Sequence, residues 1–285
     1  MTNSRMFHDE SGHAGEGSKS DQLQVRAWVK TISDPNEHKE FMERLHVGSQ
    51  FDMRYRGLVE YYGDDLIAYK RKNLSSKHVN DFLYIFSKYL TDHLEDDCPP
   101  SWKEFHPQLW EEFIYACFPM YLDISLKQNK SEIFQKQLKK FIYWLDKRSG
   151  CSWYSTVEKC IEDGLEELKT CEKIFNALFL HSYPNLHQKD LNPLEDIAKI
   201  EARLQGCDTT LNSIFEVTNI TDGIVSVRDI DTNTALQIAA FPTTISTGIL
   251  LEGTIGMNNY DFYWTWLATQ AVYPNKAQNY IQFVD

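Results

Sequence analysis

The sequence predicts an α+β fold: a mainly α-helical N-terminal domain, followed by a small antiparallel β-barrel, SH3-like or OB-like, with a C-terminal helix. Two observations predict it. Up to about Gly206 the apolar residues recur with the 3.6-residue period of helices, and from Leu211 they alternate with the two-residue period of strands. A length of 285 residues is comfortable for two domains. We therefore expect residues 34–205 to be nearly all helical and residues 211–270 to be strands and turns.

The same pattern divides the chain into regions: a disordered tail at 1–22, a helical domain at 34–183, a helical connector at 184–210 and the small β-barrel domain at 211–285. Ser, Gly, His, Asp and Glu dominate the tail, so it has almost nothing to bury. His8 and His13 predict no metal site, because a flexible tail holds no fixed ligand geometry.

Capping residues and prolines mark the helix ends. Asp34-Pro35 begins the first helix, with the proline in its first turn, and Ser75 or Ser76 caps the third. Pro99-Pro100 ends that third segment, because neither residue continues a helix. The predicted helices are 34–48, 56–72, 75–97, 107–119, 131–150, 153–181 and 193–206.

The segment 131–150 is the best-specified helix. Ser131 suits its N-cap, and Gly150 suits a left-handed stop. On one face Lys136, Lys140 and Lys147 line up within about 40° at roughly 100° per residue. The opposite face is an apolar stripe of Phe134, Leu138, Phe141, Ile142 and Leu145. This helix therefore has a core side and a cationic side.

The longest predicted helix, 153–181, also has two faces. Its apolar face carries Gly164, which predicts a point of close packing against another element. Its other face is acidic, and we interpret it as solvated. The acidic residues are Glu158, Glu162, Glu166, Glu167 and Glu172.

Five short strands are predicted within 211–266, separated by turns at 222–223, 231–234 and 258–259. In the last strand, alternation places Phe262, Trp264 and Trp266 inward and leaves Tyr260 as the exposed aromatic residue. Pro274 precedes an amphipathic helix that is expected to cover one end of the barrel.

Two stretches resemble the SAM-like core-binding domain of tyrosine recombinases and phage integrases. LIAYKRKNLSSKHVNDFLYIFSKYL is similar to its first half and SEIFQKQLKKFIYWLDKRSG to its second, with Leu138, Phe141 and Leu145 at the family's Leu–Phe–Leu positions. The resemblance covers residues 58–150, with a longer insert between 96 and 130, and implies a helical fold with a DNA-facing surface. Recombinases need a His-x-x-Arg, which none of the nine histidines begins, so the resemblance does not extend to strand exchange.

Motifs for catalysis and nucleotide binding are absent from the sequence, including G-x-x-x-x-G-K-[ST], G-x-G-x-x-G, G-x-S-x-G and H-E-x-x-H. Cys151, His181 and His187 form a cysteine–histidine set without a third orienting group. Asp229 and Asp231 flank a turn but lack the later Gly and Glu of a calcium loop. We predict no catalytic residue, no metal and no cofactor.

Charge, apolar runs and cysteine spacing argue against further classes of function. A net charge of −12 argues against general polyanion binding, but not against a local basic face. No run approaches 18 apolar residues, and the polar N-terminus lacks a secretory apolar segment, so we expect neither a membrane partner nor export. None of the six cysteines forms a C-x-x-C pair, which favours reduced thiols in the cytoplasm.

Two basic clusters are the candidate binding residues. Residues 127–148 hold seven Lys or Arg and two Asp or Glu, a local charge of +5. If the clusters share one surface, they form a cradle for phosphates, and otherwise the lysines are a solvated helix face. The candidate nucleic-acid-binding residues are Lys70, Arg71, Lys72, Lys77, Lys136, Lys140 and Lys147.

The sequence therefore predicts a non-catalytic cytoplasmic binding or adaptor protein, with another protein as partner. The second interpretation is nucleic-acid binding through the basic face of the core-binding-like module. The third is an enzyme whose site lies in the inter-domain cleft.

The stripe on 131–150 generates a stability prediction. We expect Leu138→Ala to lower the free energy of unfolding by about 2–5 kcal/mol, because a buried leucine leaves a cavity. The control, Lys140→Ala on the cationic side, should change it by less than about 0.5 kcal/mol. Denaturant titration measures both, and equal losses would contradict the assignment of the faces.

Overall fold

A computed structural model describes residue 32 and residues 34–124, 127–186 and 193–281. The predicted tail at 1–22, with His8 and His13, lies outside the described residues, as does His187. No strand occurs between residues 75 and 180 in the part that is described, and no helix occurs within 224–256. The predicted change from helix to strand near residue 211 is confirmed.

Within residues 35–88, all of which are described, the chain forms four helices: α1 (Pro35–Ser49), α2 (Tyr55–Val59), α3 (Gly63–Arg71) and α4 (Lys77–Lys88). The predicted caps are confirmed, because the side chain of Asp34 accepts from Asn36 N–H and that of Ser76 from Val79 N–H. The single helix predicted at 56–72 is wrong.

The chain breaks between α2 and α3 at Tyr62, which adopts a left-handed conformation with φ 55°. Gly63 follows and lies against the backbone of Leu58 so closely that a Cβ atom would overlap it. Only glycine allows this approach, so the chain reverses there instead of continuing as one helix.

Helices α4 and α5 (Pro107–Glu112) each continue into a π-helical segment, Tyr89–His93 and Phe113–Cys117, and a last turn, α6, covers Phe118–Met120. The two π segments pack together. The hydroxyl of Tyr89 donates to Leu109 O and to Glu112 Oε2, both at 2.9 Å, and His93 Nε2 lies 2.9 Å from Glu112 Oε1. Apolar periodicity alone predicted regular α-helices here.

Helices α7 (Lys130–Ser149) and α8 (Tyr154–Ser182) form a hairpin in which each caps the other. The buried carboxylate of Glu172 on α8 accepts from Lys130 N–H (2.8 Å) and Ser131 N–H (3.0 Å). Asp146 on α7 accepts from the N–H groups of residues 153 and 154 at 2.9 and 2.8 Å. Ser131 is therefore not the N-cap: a carboxylate from the neighbouring helix satisfies these amides. Glu172 is also not solvated, contrary to its predicted place on the acidic face.

Gly164 confirms the predicted point of close packing on α8. A Cβ atom at this position would overlap the ring of Tyr115 from the π segment. The hydroxyl of Tyr115 donates to Cys160 O at 2.6 Å, so the ring is fixed against the helix.

After α9 (Pro193–Gln205), the described residues form one five-stranded antiparallel sheet in the order β3-β2-β1-β4-β5. Its strands are β1 (Thr209–Thr221), β2 (Ile224–Asp229), β3 (Ala235–Ala239), β4 (Leu250–Met257) and β5 (Thr265–Tyr273).

The sheet is not closed into a barrel, which corrects the SH3-like or OB-like prediction. Among the described residues, its edges meet only at an isolated bridge between Ile238 and Trp264, where Ala239 N–H donates to Trp264 O (3.0 Å) and Trp264 N–H to Gln237 O (2.9 Å). Closure needs a ladder along both edges, whereas β3 has five residues and β5 packs against α8 instead.

The C-terminal segment also differs from expectation: it is a 3₁₀ turn, Asn275–Asn279, rather than an amphipathic α-helix. It ties the sheet to the helices, because Asn275 N–H donates to Glu167 Oε1 (2.6 Å) and Lys276 Nζ to Asp163 O (3.1 Å). The buried apolar residues of helices and sheet form one connected core. The domain boundaries at 184 and 211 stay predictions.

The buried cap predicts a specific weakness. We expect Glu172→Gln to lower the free energy of unfolding by about 1–3 kcal/mol, because the amide replaces one acceptor oxygen with a donor facing the amides of α7. Glu166→Gln, on the same helix with an 85% exposed side chain, should cost less than about 0.5 kcal/mol. Thermal or urea unfolding measures the stability of both variants. A Glu172→Gln protein as stable as the wild type would contradict the capping role.

Candidate nucleic-acid interface

The turn after α3 lies alongside α7 because aromatic rings join the two helices. The ring centroid of Tyr69 is 5.1 Å from that of Phe141 and 5.1 Å from that of Trp144. Tyr69 and Phe141 are buried in the core, whereas Trp144 is half-buried at the surface. The packing therefore fixes the end of α3 against the outer side of α7.

The two basic clusters meet at Trp144. Lys72 Nζ lies 5.8 Å from the centroid of this ring, and the guanidinium carbon of Arg148 lies 5.4 Å from it. Cations within about 6 Å of an indole face are attracted by its quadrupole. One aromatic side chain thus joins a cation from the first cluster to a cation from the second.

From Trp144 a row of exposed lysines follows α7: Lys136, Lys140 and Lys147. Within the described residues none of these three forms an ion pair, whereas Lys139 binds Glu158 (3.1 Å) and Arg148 binds Asp65 (2.5 Å). We call the whole surface the cationic face. It consists of Lys72, Lys136, Lys140, Tyr143, Trp144, Lys147 and Arg148.

A shallow depression of about 510 Å³ lies beside the cationic face, between the end of α7 and the start of α8. Its wall includes Tyr143, which is 53% exposed, and Tyr154, whose ring centroid is 5.9 Å away. Lys147 Nζ lies 4.0 Å from the centroid of the Tyr143 ring and donates to its hydroxyl at 2.6 Å. The depression therefore combines flat aromatic surfaces with a cation.

Lys70 does not belong to this surface, which corrects its place among the candidate residues. It is fully buried, and its Nζ donates to Asn73 O (3.3 Å) and Leu74 O (2.5 Å). Burial lowers its pKa below the usual value for lysine. Its amine satisfies carbonyl groups of the turn after α3 instead of facing solvent.

The other predicted residues of the first cluster are exposed. Arg71 ends α3, and Lys77 begins α4 beside the first turns of α7, where it lines a cavity of about 130 Å³ with Ile133 and Phe134. The turn from Lys72 to Lys77 thus runs along α7. Sequence reasoning missed Tyr143, Trp144 and Arg148, although two adjacent aromatic residues within a lysine-rich helix were a visible signal.

The cleft expected for an enzyme is a space of about 500 Å³ between α8, the π segment Phe113–Cys117 and the C-terminal turn. Two of its polar groups already bind other residues of the lining: the hydroxyl of Tyr280 donates to Glu111, and Lys276 Nζ to the backbone carbonyl of Asp163. Burial raises the pKa of the Cys160 thiol to about 11, so at neutral pH this thiol is protonated and a poor nucleophile.

The other candidate sets for chemistry do not assemble. Cys151 precedes α8 by three residues and His181 lies in its last turn, so the length of the helix, roughly 40 Å at 1.5 Å per residue, separates them. Asp229 is buried in its turn, where it accepts from Ser213 Oγ (2.5 Å) and Thr232 Oγ1 (2.7 Å), as expected for a turn aspartate. Over the described ranges, no group of three His, Cys, Asp or Glu side chains is placed to hold a metal ion.

None of the helices in the described part is both long and apolar enough to cross a membrane. Comparison of the chain with protein-family models, with curated proteins and with solved structures found no match.

The burial of Lys70 predicts that its amine reacts more slowly than the amines of the exposed lysines. With limiting acetylating reagent, we expect Lys70 of the native protein to react at least about tenfold more slowly than Lys72 or Lys140, because its amine is reached only through local opening. Peptide mass spectrometry quantifies each site, and the urea-unfolded protein is the control in which the rates should converge. Equal native rates would place Lys70 on the surface.

Proposed function

We propose that the protein is a non-catalytic binding protein whose cationic face holds the phosphate backbone of a nucleic acid. The observation that carries the proposal is the contact of Lys72 and Arg148 with the same ring, Trp144, which joins the two basic clusters. Phosphate contacts from lysine and arginine supply most of the affinity in such binding.

The net charge of −12 opposes the approach of a polyanion as a whole. Salt confines that repulsion, because the Debye length is about 10 Å at 0.1 M ionic strength. Lys136, Lys140 and Lys147 are separated along α7 by roughly 6 and 10 Å at 1.5 Å per residue. At moderate salt, the electrostatic energy of a phosphate backbone on these lysines therefore depends mainly on the local excess of positive charge.

A single strand fits the cationic face better than a duplex does. Base stacking on exposed aromatic rings, combined with a positive surface along the backbone, is how proteins bind single strands without sequence preference. Tyr143 offers such an exposed ring in the depression beside Lys147, and the half-buried ring of Tyr154 forms the neighbouring wall. The bases of a duplex are stacked on each other and cannot enter it.

One further feature supports this proposal. The resemblance of residues 58–150 to a core-binding domain implies a nucleic-acid surface on the same helices. We also propose a cytoplasmic location, because all six cysteines are free thiols, as expected in a reducing compartment.

The test measures binding of fluorescent 20-nucleotide single-stranded and duplex probes as a function of salt. We expect the wild type to bind the single strand more tightly, and the triple change of Lys136, Lys140 and Lys147 to Gln to reduce the log–log salt slope by about 2, at roughly 0.7 per lost contact.

A matched control changes Lys39, Lys159 and Lys173 to Gln, which removes the same charge from exposed positions on other helices. This control should keep the wild-type slope. Wild-type protein that shows no salt-sensitive binding at low ionic strength would overturn the proposal and leave the lysines as a solvated helix face. A preference for the duplex would overturn the single-strand assignment alone.

A further inference from the structure

A second surface lies at the tip of the hairpin that joins β4 to β5. Tyr260 and Phe262 are each 94% exposed there, more than any other large apolar side chain of the described residues. Strand alternation predicted Phe262 to be inward, and that prediction is wrong, because β5 begins only at residue 265. Phe262 lies in the preceding loop, where alternation does not apply.

The loop that carries these rings is held by hydrogen bonds. Asp261 Oδ2 accepts from the backbone N–H and the side-chain amide of Asn258, at 3.0 and 3.1 Å, and Asp261 N–H donates to Asn258 O at 3.0 Å. Asn259 N–H donates to Asp208 Oδ2 at 2.8 Å. The rings are thus presented on a fixed loop, which reduces the entropy that a partner must remove on binding.

We propose that this tip, formed by Asp208, Tyr260, Asp261 and Phe262, is an anchor that inserts into an apolar cleft of another protein with a Lys- or Arg-rich rim. Aromatic side chains in a pocket contribute most of the energy at such contacts. Asp261 stands between the two rings in sequence, and Asp208 binds the N–H of Asn259, the residue before Tyr260. The tip therefore carries two carboxylates, and a basic rim is the complementary surface.

The charges of the tip also argue against a bilayer, a nucleic acid or a second copy of this chain as its binding partner. A bilayer would have to take up the carboxylate of Asp261, which stands between the two rings in sequence, and an anionic bilayer would repel it. Nucleic acid is repelled for the same reason, so the tip is separate from the cationic face. A second copy of this chain fits poorly, because the wall of its apolar cavity of about 130 Å³ carries Asp81 and Asp123 beside Lys77 and Lys130. Lys130 is already paired with Asp123 (3.4 Å), so the cavity has no net basic rim.

The tip and the cationic face lie on different parts of the fold. Helix α8 packs against α7 and against β5, so it separates the helix of the cationic face from the strand that follows the tip. The chain then carries two binding surfaces on different elements, which is the arrangement expected of an adaptor.

The first experiment places a photo-reactive residue at the tip. Phe262→p-benzoylphenylalanine is expressed in the cells that make the protein, with Leu74→p-benzoylphenylalanine, at a 57% exposed apolar position elsewhere, as the matched control. We expect a discrete protein adduct from position 262 that position 74 does not form. Adducts only to a second copy of the chain, or no protein adduct, would overturn the proposal.

The second experiment uses the cross-linked protein itself, purified, as the probe in a two-component binding assay. The double variant Tyr260→Ser with Phe262→Ser should bind at least about 30-fold more weakly, because two anchors are lost. The Asp208→Asn variant should show weaker binding with a smaller salt dependence, and Leu74→Ser should bind like the wild type.

Fully exposed rings contribute little to folding, so the Ser variants should keep the wild-type melting temperature. Unchanged affinity of the double Ser variant would overturn the proposal. So would sedimentation of the wild type, but not of the double variant, with phosphatidylcholine or phosphatidylglycerol vesicles.

Discussion

The contact of Gly164 with Tyr115 is the constraint on which the arrangement of the molecule depends. Helix α8 packs on α7, on the π segment Phe113–Cys117 and on β5, so its distance from each neighbour sets the shape of the core. Tyr115 is held between Cys160 O, which accepts from its hydroxyl, and Lys276 Nζ, which lies 5.1 Å from the ring centroid. Because glycine has no side chain, the ring lies directly against the helix, and the C-terminal turn follows it.

Helices α7 and α8 cap each other with carboxylates, and this capping fixes which side of α7 faces solvent. Glu172 binds the first amides of α7, and Asp146 binds the first amides of α8, so both ends of the hairpin are fixed. A helix held at both ends cannot rotate about its axis without breaking these bonds. The apolar stripe of α7 thus stays in the core, and its lysines and Trp144 stay at the surface beside the turn after α3.

Local signals in the sequence predicted the local structure well. Caps and prolines placed the helix starts at Asp34-Pro35 and Ser76, and the change of apolar period placed the sheet. Contacts between distant residues decided the rest. Glu172, for example, reaches amides about forty positions earlier in the chain. The burial of Lys70 has a local cause instead, because its amine turns back onto carbonyls three and four residues later, which its place in a basic cluster does not indicate. The sheet stays open because β5 packs against α8, a contact that the pattern of strand residues does not predict.

The two proposed surfaces suit a protein whose net charge is −12. The unpaired cations of the cationic face are few, and the acidic remainder of the surface weakens attraction at long range, so binding there alone is expected to be modest. Anchoring of the hairpin tip in a partner on the same nucleic acid would turn the second contact into an intramolecular one. Such linkage raises the overall affinity without any new contact, provided that both surfaces can be occupied together. The cationic face and the tip share no residue and belong to elements that each pack against α8, so we expect that occupation of one leaves the other accessible.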